Sequence, residues 1–242
     1  MINLLKGDCL DRMKEIPDES VDMVLTDPPY GTTQCKWDSI IDLPLMWEQL
    51  KRIIKPNGAI VMTASQPFTT TLIASNMKMF KYCWVWEKSR FANQMLAKKQ
   101  PLKIHEDVIV FCNGVAPYYP QGLVECNKVT KQGSRVADNI GGGVRATSYK
   151  QTHTNYPRTI QKFKSASNTV HSTQKPVALM EYLIKTYANE GETVLDFAMG
   201  SGTTGVACNN LGRSFIGMEL DEGYFNIAKD RIEKTPVSGK SA

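Results

Sequence analysis

The chain has 242 residues, with 29 Lys and Arg, 24 Asp and Glu and three His, which gives a formal charge of +5 at pH 7. A content of 42% hydrophobic and 22% charged residues is ordinary for a folded protein and excludes disorder, collagen-like repeats and small disulfide scaffolds, and the length fits one large domain or one domain with an insert. No apolar run approaches the roughly 18 to 20 residues of a membrane span, and charged residues occur too early for a signal peptide, so we expect a cytoplasmic protein with no membrane partner.

Short apolar segments alternate with amphipathic ones along the chain, a pattern typical of an α/β fold in which helices cover a mostly parallel sheet. Strands are predicted at residues 2–5, 21–26, 59–63, 82–86, 107–111, 193–197 and 214–219. Helices are predicted at 45–54, at 68–77, between Pro176 and Gly191, and around 225–232. The first of these helices is expected to end because of Pro56-Asn57-Gly58.

Positive charge is concentrated in two stretches. Residues 115–170 contain eight basic and two acidic residues, a net charge of +6, so the rest of the chain nets −1. This stretch is poor in periodic apolar residues and contains Gly141-Gly142-Gly143, which indicates an insert without a strong core. A second basic run at 88–103 is either a solvated face or a polyanion-binding surface. The candidate contacts to such a polyanion are Lys88, Arg90, Lys98, Lys99, Arg135, Arg145 and Lys150.

The first segment with chemical character is T-D-P-P-Y-G at 26–31, directly after a predicted strand. Two consecutive prolines cannot continue a central ladder, so the chain must leave the sheet at the carboxyl end of the strand, where open α/β sheets bind ligands. Asp27 and the Pro28 carbonyl provide two acceptors and Tyr30 an aromatic face, which together suit an exocyclic amine on a flat base. A proline-rich turn with a surface tyrosine is the alternative. The candidate catalytic residues are Asp27, Pro28, Pro29 and Tyr30.

The second segment is D-F-A-M-G-S-G-T-T-G at 196–205, between a predicted strand and a helix. Its three glycines match G-x-G-x-x-G, and Glu219 ends the next strand at a spacing near that of an acid that binds ribose hydroxyls. Alone, this pattern predicts a dinucleotide site. Asp196 favours another ligand, because a carboxylate beside the loop disfavours a pyrophosphate and suits an ammonium group. S-adenosylmethionine (SAM) carries an ammonium, a carboxylate and a ribose but no phosphate, and the helix start near Thr203 could face its carboxylate.

The third segment is H-S-T-Q-K-P at 171–176, which leads into the helix predicted from Pro176. The plain interpretation is a capped helix start with Thr173 near the N-cap and an exposed lysine. His105 and His153 have no partners spaced for a metal site or a catalytic triad, and the six cysteines occur singly without C-x-x-C. We therefore expect no metal and reduced thiols.

Together, these motifs resemble the β-group DNA amino-methyltransferases, which methylate adenine N6 or cytosine N4 and carry the catalytic motif ahead of the cofactor loop. The resemblance covers most of the chain and rests on G-D-C-L at 7–10, T-D-P-P-Y-G at 26–31, H-E-D-V-I-V-F at 105–111, H-S-T-Q-K-P at 171–176, V-L-D-F-A-M-G-S-G-T-T at 194–204 and G-M-E-L-D at 217–221. Many family members read D-P-F and H-P-T-Q-K-P where this chain has Asp196-Phe197-Ala198 and His171-Ser172.

The resemblance implies a Rossmann-like, seven-stranded, mostly parallel sheet with helices on both faces, in a circularly permuted methyltransferase order. A catalytic half would span 1–114, a target-recognition insert 115–170 and a cofactor-binding half 171–242. SAM would be the cofactor and double-stranded DNA the partner. Family habit suggests a homodimer, and a cognate restriction enzyme is left open.

The same resemblance implies residue roles. Asp27 and the Pro28 carbonyl would hold the target amine, and Tyr30 would stack on the flipped base. Asp8 would meet the adenine amine of the cofactor, and Glu219 its ribose hydroxyls. The methionine end would be bound by Asp196 with Thr173, Gln174, Lys175, Gly200, Ser201, Gly202, Thr203 and Thr204.

Adenine N6 is the favoured target, because Asp27 stands before Pro-Pro where cytosine enzymes often have Ser; cytosine N4 is the alternative. A nicotinamide-dependent dehydrogenase would explain the glycine pattern but leaves the D-P-P-Y turn, Asp196 and the basic insert unexplained. A DNA-binding module with a decayed cofactor site is opposed by the intact motifs.

Overall fold

The structure, a computed structural model, describes residues 1–32, 38–131, 148–167 and 174–236. The chain divides into two compact units, the first formed by Met1–Tyr119 and Thr159–Ala242 and the second by Pro120–Arg158. The second unit lies inside the stretch 115–170 that the charge pattern singles out, with narrower bounds. Within the described residues, no helix combines the length and apolar character needed to cross a membrane.

Ten strands and six α-helices are found in the described residues. In chain order, the strands are β1 (Ile2–Lys6), β2 (Val21–Thr26), β3 (Ile54–Ala64), β4 (Phe80–Ala92), β5 (Lys103–Phe111), β6 (Val124–Lys131), β7 (Ser148–Thr154), β8 (Ile160–Phe163), β9 (Thr193–Asp196) and β10 (Ser214–Glu219). The helices are α1 (Cys9–Arg12), α2 (Leu43–Ile53), α3 (Phe68–Ser75), α4 (Val177–Tyr187), α5 (Thr203–Asn210) and α6 (Glu222–Glu233).

The first unit is built on an eight-stranded sheet with the order β1-β10-β9-β2-β3-β5-β4-β8. Strands β1, β10, β9, β2 and β3 run parallel, whereas β5 is antiparallel to both β3 and β4. The mostly parallel α/β sheet predicted from the sequence is confirmed. Strands β9 and β10, from the end of the chain, lie between β1 and β2 from its beginning, as the permuted order requires.

The sheet has eight strands where the resemblance implies seven. The additional strand, β8, comes from the stretch interpreted as an insert and pairs in parallel with β4 from Val85 to Lys88. Its residues alternate between half-buried and exposed, and its sequence I-Q-K-F has no continuous apolar run. This strand therefore forms through backbone pairing with an otherwise open sheet edge, and the hydrophobic pattern of the sequence does not predict it.

Alternation along the central strands divides the core into two layers. In β5, Val108 and Val110 belong to the layer covered by α4, α5 and α6, whereas Ile109 and Phe111 belong to the layer covered by α2 and α3. Successive side chains of a strand point to opposite faces, so a strand buried on both sides contributes to both layers. The helices therefore cover both faces, as expected.

Some element bounds differ from the predicted ones. Helix α2 ends at Ile53, before Pro56, because the backbone of Ile54 already pairs with Val21 in the sheet. Strands β4 and β5 extend past their apolar segments as a ladder that still pairs Ala92 with Lys103. Their outer residues are mostly exposed, so hydrophobic periodicity does not reveal them.

In the described residues of the second unit, β6 pairs with β7 in an antiparallel arrangement, and the sequence predicts neither strand. Its register runs from Val124 opposite Thr154 to Lys131 opposite Ser148. The Asn155 side-chain amide donates to the Gly122 carbonyl at 2.7 Å and so links the segment before β6 to the residue after β7. Few apolar side chains accompany this pair, which explains why the apolar pattern misses it.

A substitution at Gly202, just before α5, tests how closely the start of α5 packs on α6. Its φ is +77°, and an added Cβ would lie 2.9 Å from the Cβ of Ala228. We expect Gly202→Ala to lower the free energy of unfolding by about 2 to 5 kcal/mol, from left-handed backbone strain of about 1 to 2 kcal/mol and overpacking of about 1 to 3 kcal/mol. Gly191→Ala is the matched control, since Gly191 has φ +82° but no atom within 4 Å of the added Cβ. The free energy of unfolding of Gly191→Ala, measured by urea unfolding, should fall by only about 1 to 2 kcal/mol. Equal losses in the two variants would contradict close packing at Gly202.

Candidate active site

A cavity of about 860 Å³ opens where the parallel strands of the first unit end. Its walls include residues that follow β1, β2, β9 and β10, together with side chains from β4 and β5. The carboxyl edge of an open α/β sheet is the usual place for a ligand. The sequence-predicted residues that line it are Asp8, Asp27, Pro28, Pro29, Tyr30, Lys88, Gln174, Lys175, Asp196, Ser201, Thr203, Thr204 and Glu219.

The remaining predicted residues lie elsewhere. Gly200 and Gly202 shape the backbone behind the cavity wall, both with positive φ. Arg90, Lys98 and Lys99 are exposed in the first unit, and Lys150 is exposed in the second. Thr173, Arg135 and Arg145 lie outside the described residues.

The Asp27 carboxylate, directly after β2, is held by three side-chain donors. Its Oδ1 accepts a hydrogen bond of 2.6 Å from the Tyr30 hydroxyl and another from the Thr63 hydroxyl. Its Oδ2 lies 2.5 Å from Lys175 Nζ. Because a carboxylate offers about four lone-pair sites, one acceptor site remains for a further donor. The side chain is 23% exposed, so that site can be reached from the cavity.

Tyr30 is fixed through its ring and its hydroxyl. The ring stacks on Phe68 with centroids 5.4 Å apart and planes 21° from parallel. Burial, with the negative charge of Asp27, raises the pKa of the Tyr30 hydroxyl well above its usual range. The hydroxyl therefore remains a hydrogen-bond donor to Asp27.

The backbone after the prolines is held by Asp38. One Asp38 oxygen accepts from the amides of Tyr30 and Gly31 at 2.7 and 2.9 Å, and the other accepts from the Thr32 amide at 2.9 Å. Gly31 has φ +65°, and an added Cβ would lie 2.7 Å from the Ile40 side chain. The D-P-P-Y turn is thus rigid on both sides of Tyr30.

Lys175, just before α4, belongs to a chain of alternating charges. Its side chain is 6% exposed, and its Nζ lies 3.3 Å from Glu106 Oε2 as well as 2.5 Å from Asp27. The other Glu106 oxygen pairs with the Lys88 ammonium. Burial alone lowers the pKa of Lys175, but the carboxylates of Asp27 and Glu106 outweigh it and raise that pKa. Burial likewise raises the pKa of Glu106, and the two lysines outweigh it and lower that pKa.

Lys88 therefore occupies a different environment from the basic face expected of it. Its side chain is 17% exposed and pairs with Glu106 inside the cavity. The neighbouring basic residues Arg90, Lys98 and Lys99 do lie on the surface. Position along β4 explains the difference, because the pairing of Trp86 with Glu106 brings the start of the basic run next to that acid.

Asp196 is a buried carboxylate that connects β2 to α5. Its Oδ1 accepts from the Thr26 hydroxyl at 2.7 Å and the Ala198 amide at 3.2 Å, and its Oδ2 accepts from the Thr204 hydroxyl at 2.6 Å. Burial raises the pKa of Asp196 to about 6 even though these donors lower it. The group therefore changes charge just below neutral pH.

Two further carboxylates line the cavity at the ends of β1 and β10. Glu219 accepts from the Gly200 amide at 2.9 Å and from the Asp221 amide at 2.8 Å, so both of its oxygens are oriented by backbone. Burial raises the pKa of Glu219. Asp8 caps α1 by accepting from the Leu10 amide at 2.8 Å. The Gly7 amide donates to the Glu219 carbonyl at 2.9 Å, which ties these two positions together.

Comparison with known proteins identifies the family. A family model described as DNA methylase, N6_N4_Mtase, matches residues 21–230. The chain belongs to this family. The family resemblance found in the motifs is therefore confirmed, and the dehydrogenase alternative is excluded.

Two relatives of this DNA methylase are methyltransferases of bacteria. The type II methyltransferase M.HpaI of Haemophilus parainfluenzae is 26% identical over 247 residues, which cover 95% of this chain and 74% of that protein. The DNA adenine methyltransferase YhdJ of Escherichia coli K12 is 30% identical over 251 residues, which cover 95% of this chain and 82% of that protein.

Solved structures share the fold of this DNA methylase. The M1.HpyAVI–SAM complex matches with a TM-score of 0.66 and 25% identity, over 96% of this chain and all of that one. The PvuII DNA methyltransferase, described as cytosine-N4-specific, matches with a TM-score of 0.69 and 16% identity, over 99% of this chain and 88% of that one. The second likeness concerns the fold alone.

Three residues of the site were missed by the sequence interpretation: Thr63, Asp38 and Glu106. Glu106 lies within the motif H-E-D-V-I-V-F, but the sequence does not reveal which of its two adjacent acids faces the cavity. The structure separates them, because the Asp107 carboxylate accepts from the Thr69 hydroxyl at 2.7 Å while Glu106 faces Lys175. Alternation along an already assigned strand was the one signal available.

Asp38→Ala should loosen the turn that carries Tyr30. Losing an acceptor for three amides, at about 1 kcal/mol or more for each hydrogen bond, should speed their hydrogen exchange by about tenfold or more. The measurement is amide exchange at residues 30–32. Asp42→Ala is the control, since Asp42 accepts instead from the Leu45 amide at the start of α2. Unchanged exchange in Asp38→Ala would contradict the role of Asp38.

Proposed function

We propose that this DNA methylase transfers a methyl group from SAM to the exocyclic N6 amine of adenine in double-stranded DNA, after the base has left the duplex. The observation that carries the proposal is the Asp27 carboxylate, which faces the cavity with three fixed donors and one acceptor site left. The relative described as a DNA adenine methyltransferase supports adenine as the target.

The cavity fits SAM by charge and size. SAM carries an ammonium and a sulfonium against one carboxylate, and the carboxylates of Asp8, Asp196 and Glu219 line the same wall. A volume of about 860 Å³ lies within the range of about 300 to 1,000 Å³ typical of small-molecule sites. When bound, SAM supplies the methyl group, which its sulfonium sulfur carries.

Different residues of the cavity wall would bind different parts of the cofactor. Glu219 would accept from the ribose hydroxyls, and Asp8 from the adenine amine. Asp196 would attract the ammonium, with Gln174, Ser201, Thr203 and Thr204 around the methionine end. Gly200 and Gly202 would allow the backbone to approach closely. Thr173 is retained in this set on the family resemblance alone.

Asp27 and Pro28 would prepare the amine for attack. The lone pair of the exocyclic amine is delocalised into the ring, which makes it a poor nucleophile. One N–H would donate to the open site on Asp27 and the other to the Pro28 carbonyl. Two acceptors in these positions would favour a tetrahedral nitrogen and free its lone pair for direct in-line attack on the methyl carbon of SAM. The C–S bond would break with its electron pair left on sulfur, S-adenosylhomocysteine would be the leaving group, and the methylated amine would lose one proton to solvent. This scheme needs no nucleophilic cysteine.

Tyr30 would receive the base outside the duplex. Extrusion of a base costs a few kcal/mol, and stacking on an aromatic ring returns about 1 to 3 kcal/mol of it. The stack of Tyr30 on Phe68 and its hydrogen bond to Asp27 hold the ring in place before the base arrives. Pro29 limits the backbone freedom of the turn.

Basic surfaces would supply phosphate contacts. Arg90, Lys98 and Lys99 are exposed between Glu87 and Glu106, and Lys150 is exposed on β7. Arg135 and Arg145 belong to the same proposal on sequence alone, with residues 115–170 as the target-recognition region. Affinity should fall steeply with salt, because phosphate contacts release counterions. A homodimer and a cognate restriction enzyme stay predictions.

Cytosine N4 is the second candidate, because it too is an amine conjugated to a ring and the fold is shared with a cytosine-N4 enzyme. The deciding experiment incubates the protein with SAM and unmethylated duplex DNA and analyses the nucleosides by mass spectrometry. We expect N6-methyladenine. N4-methylcytosine alone would reassign the target. The absence of both methylated nucleosides would contradict the proposal.

Asp27→Ala should abolish methyl transfer while leaving cofactor binding nearly intact. The variant loses an acceptor for the amine, and we expect a rate loss of at least about 100-fold, as for the removal of other positioned catalytic groups. SAM affinity measured by calorimetry should change by less than about threefold, since Asp27 lies on the amine side. Near-wild-type transfer would refute the assignment.

The pKa of Asp196 predicts how SAM affinity depends on pH. Burial raises that pKa to about 6, so the charge that attracts the ammonium is present above this pH and is lost as the pH falls through it. About a tenth of the group is ionised at pH 5 and about nine tenths at pH 7, so affinity should rise about tenfold between them. Calorimetry at both pH values measures this. The Asp196→Asn variant should bind SAM more weakly than the wild type, and its SAM affinity should vary little with pH. An equal pH dependence of SAM affinity in both proteins would contradict the role of Asp196.

A further inference from the structure

Lys175 contacts the amine side of the cavity, although the family resemblance places it at the methionine end of the cofactor. Its Nζ lies 2.5 Å from Asp27 Oδ2, 3.3 Å from Glu106 Oε2 and 5.7 Å from the centroid of the Tyr30 ring. The residue is only 5% exposed. A buried ammonium between two carboxylates has its charge compensated, so a third carboxylate from the cofactor would add an unpaired anion.

Glu106 determines where this ammonium sits. It lies on β5, and β3 between β5 and β2 supplies Thr63, which also donates to Asp27. Lys88 from β4 holds one Glu106 oxygen, which leaves the other facing Lys175. The sequence Lys88, Glu106, Lys175, Asp27 alternates in sign and is neutral overall. Such a chain fixes each member, because moving one would leave a neighbour buried and unpaired.

Two other charged groups adjoin this chain. Lys103 on β5 lines the cavity, and burial lowers its pKa. Asp107 is turned away toward the Thr69 hydroxyl. Among the described residues, the groups that face the Lys175 ammonium are thus Asp27, Glu106 and the Tyr30 ring, with Lys88 behind Glu106.

We propose that Glu106 is a positioning residue that acts through Lys175: it holds the ammonium against Asp27 and so keeps the Asp27 carboxylate turned toward the target amine. The inference rests on the proposed role of Asp27. It gives Lys175 to the amine side of the reaction and removes it from the cofactor-binding set. Glu106 itself touches neither the amine nor the cofactor in this scheme.

A double-mutant cycle tests the coupling between the two residues. Glu106→Gln keeps the shape and removes the charge, Lys175→Met removes the ammonium, and the double variant combines them. We expect each single variant to slow single-turnover methyl transfer by about 10- to 100-fold, since misplacement by about 1 Å can cost about 100-fold. The double variant should be no slower than Lys175→Met alone. SAM affinity by calorimetry should stay within about threefold in all of them.

Asp107→Asn is the matched control. It makes the same change of charge one residue further along β5, on a side chain that faces Thr69. Its transfer rate should stay within about threefold of wild type, as expected for a group outside the coupled chain. If Glu106→Gln does not fold, Glu106→Asp replaces it and should show losses in the same direction but smaller.

A readout without DNA or cofactor separates this inference from the proposed function. In protein with 13C-labelled lysine, the Lys175 resonance is identified by its loss in Lys175→Met and titrated in wild type and Glu106→Gln. Lys175 should titrate at lower pH in the variant, because the carboxylate that raises its pKa is gone while its burial remains. An unchanged titration would overturn the charge chain whether or not the protein methylates DNA.

The kinetic outcomes are equally distinct. Losses that multiply in the double variant would show that Glu106 acts independently of Lys175 and would overturn the proposal. So would a tenfold or greater loss of SAM affinity in Lys175→Met, which would return this lysine to the cofactor. Absence of any transfer by the wild type would instead refute the proposed function and leave the titration to decide the charge chain.

Discussion

The carboxylate of Asp27 binds side chains from three parts of the chain. Tyr30 belongs to the same turn as Asp27, Thr63 to the end of β3, and Lys175 to the segment before α4. A partly buried charge tolerates this environment only while every donor is in place. The amine side of the cavity, at the end of β2, is therefore organised around this one carboxylate, which its neighbours hold in place while it stays 23% exposed.

The permuted strand order brings the two halves of the cavity together. Because β9 lies between β2 and β10, Thr26 at the end of β2 donates directly to Asp196, which is 170 residues away in the chain. The same arrangement puts the D-P-P-Y turn beside the glycine loop.

Sequence reasoning recovered the parts of this protein that local chemistry determines. The T-D-P-P-Y-G segment was expected at the carboxyl end of β2, because two prolines must leave a central strand, and it lies there. Strand β8 was missed because its pairing needs no apolar pattern. The role of Glu106 was missed because it depends on which of two adjacent acids faces the cavity. The partners of Lys88 and Lys175 were likewise beyond the sequence, since an ion pair between distant segments leaves no local signal.

The most direct test of this account is a crystal structure with duplex DNA and a SAM analogue whose methyl-bearing sulfonium is replaced by an amine. We expect an adenine outside the duplex on Tyr30, with its N6 hydrogen-bonded to Asp27 and the Pro28 carbonyl. Lys175 should still lie between Asp27 and Glu106. An exocyclic amine without contact to Asp27, or a Lys175 ammonium bound to the carboxylate of the analogue, would contradict it.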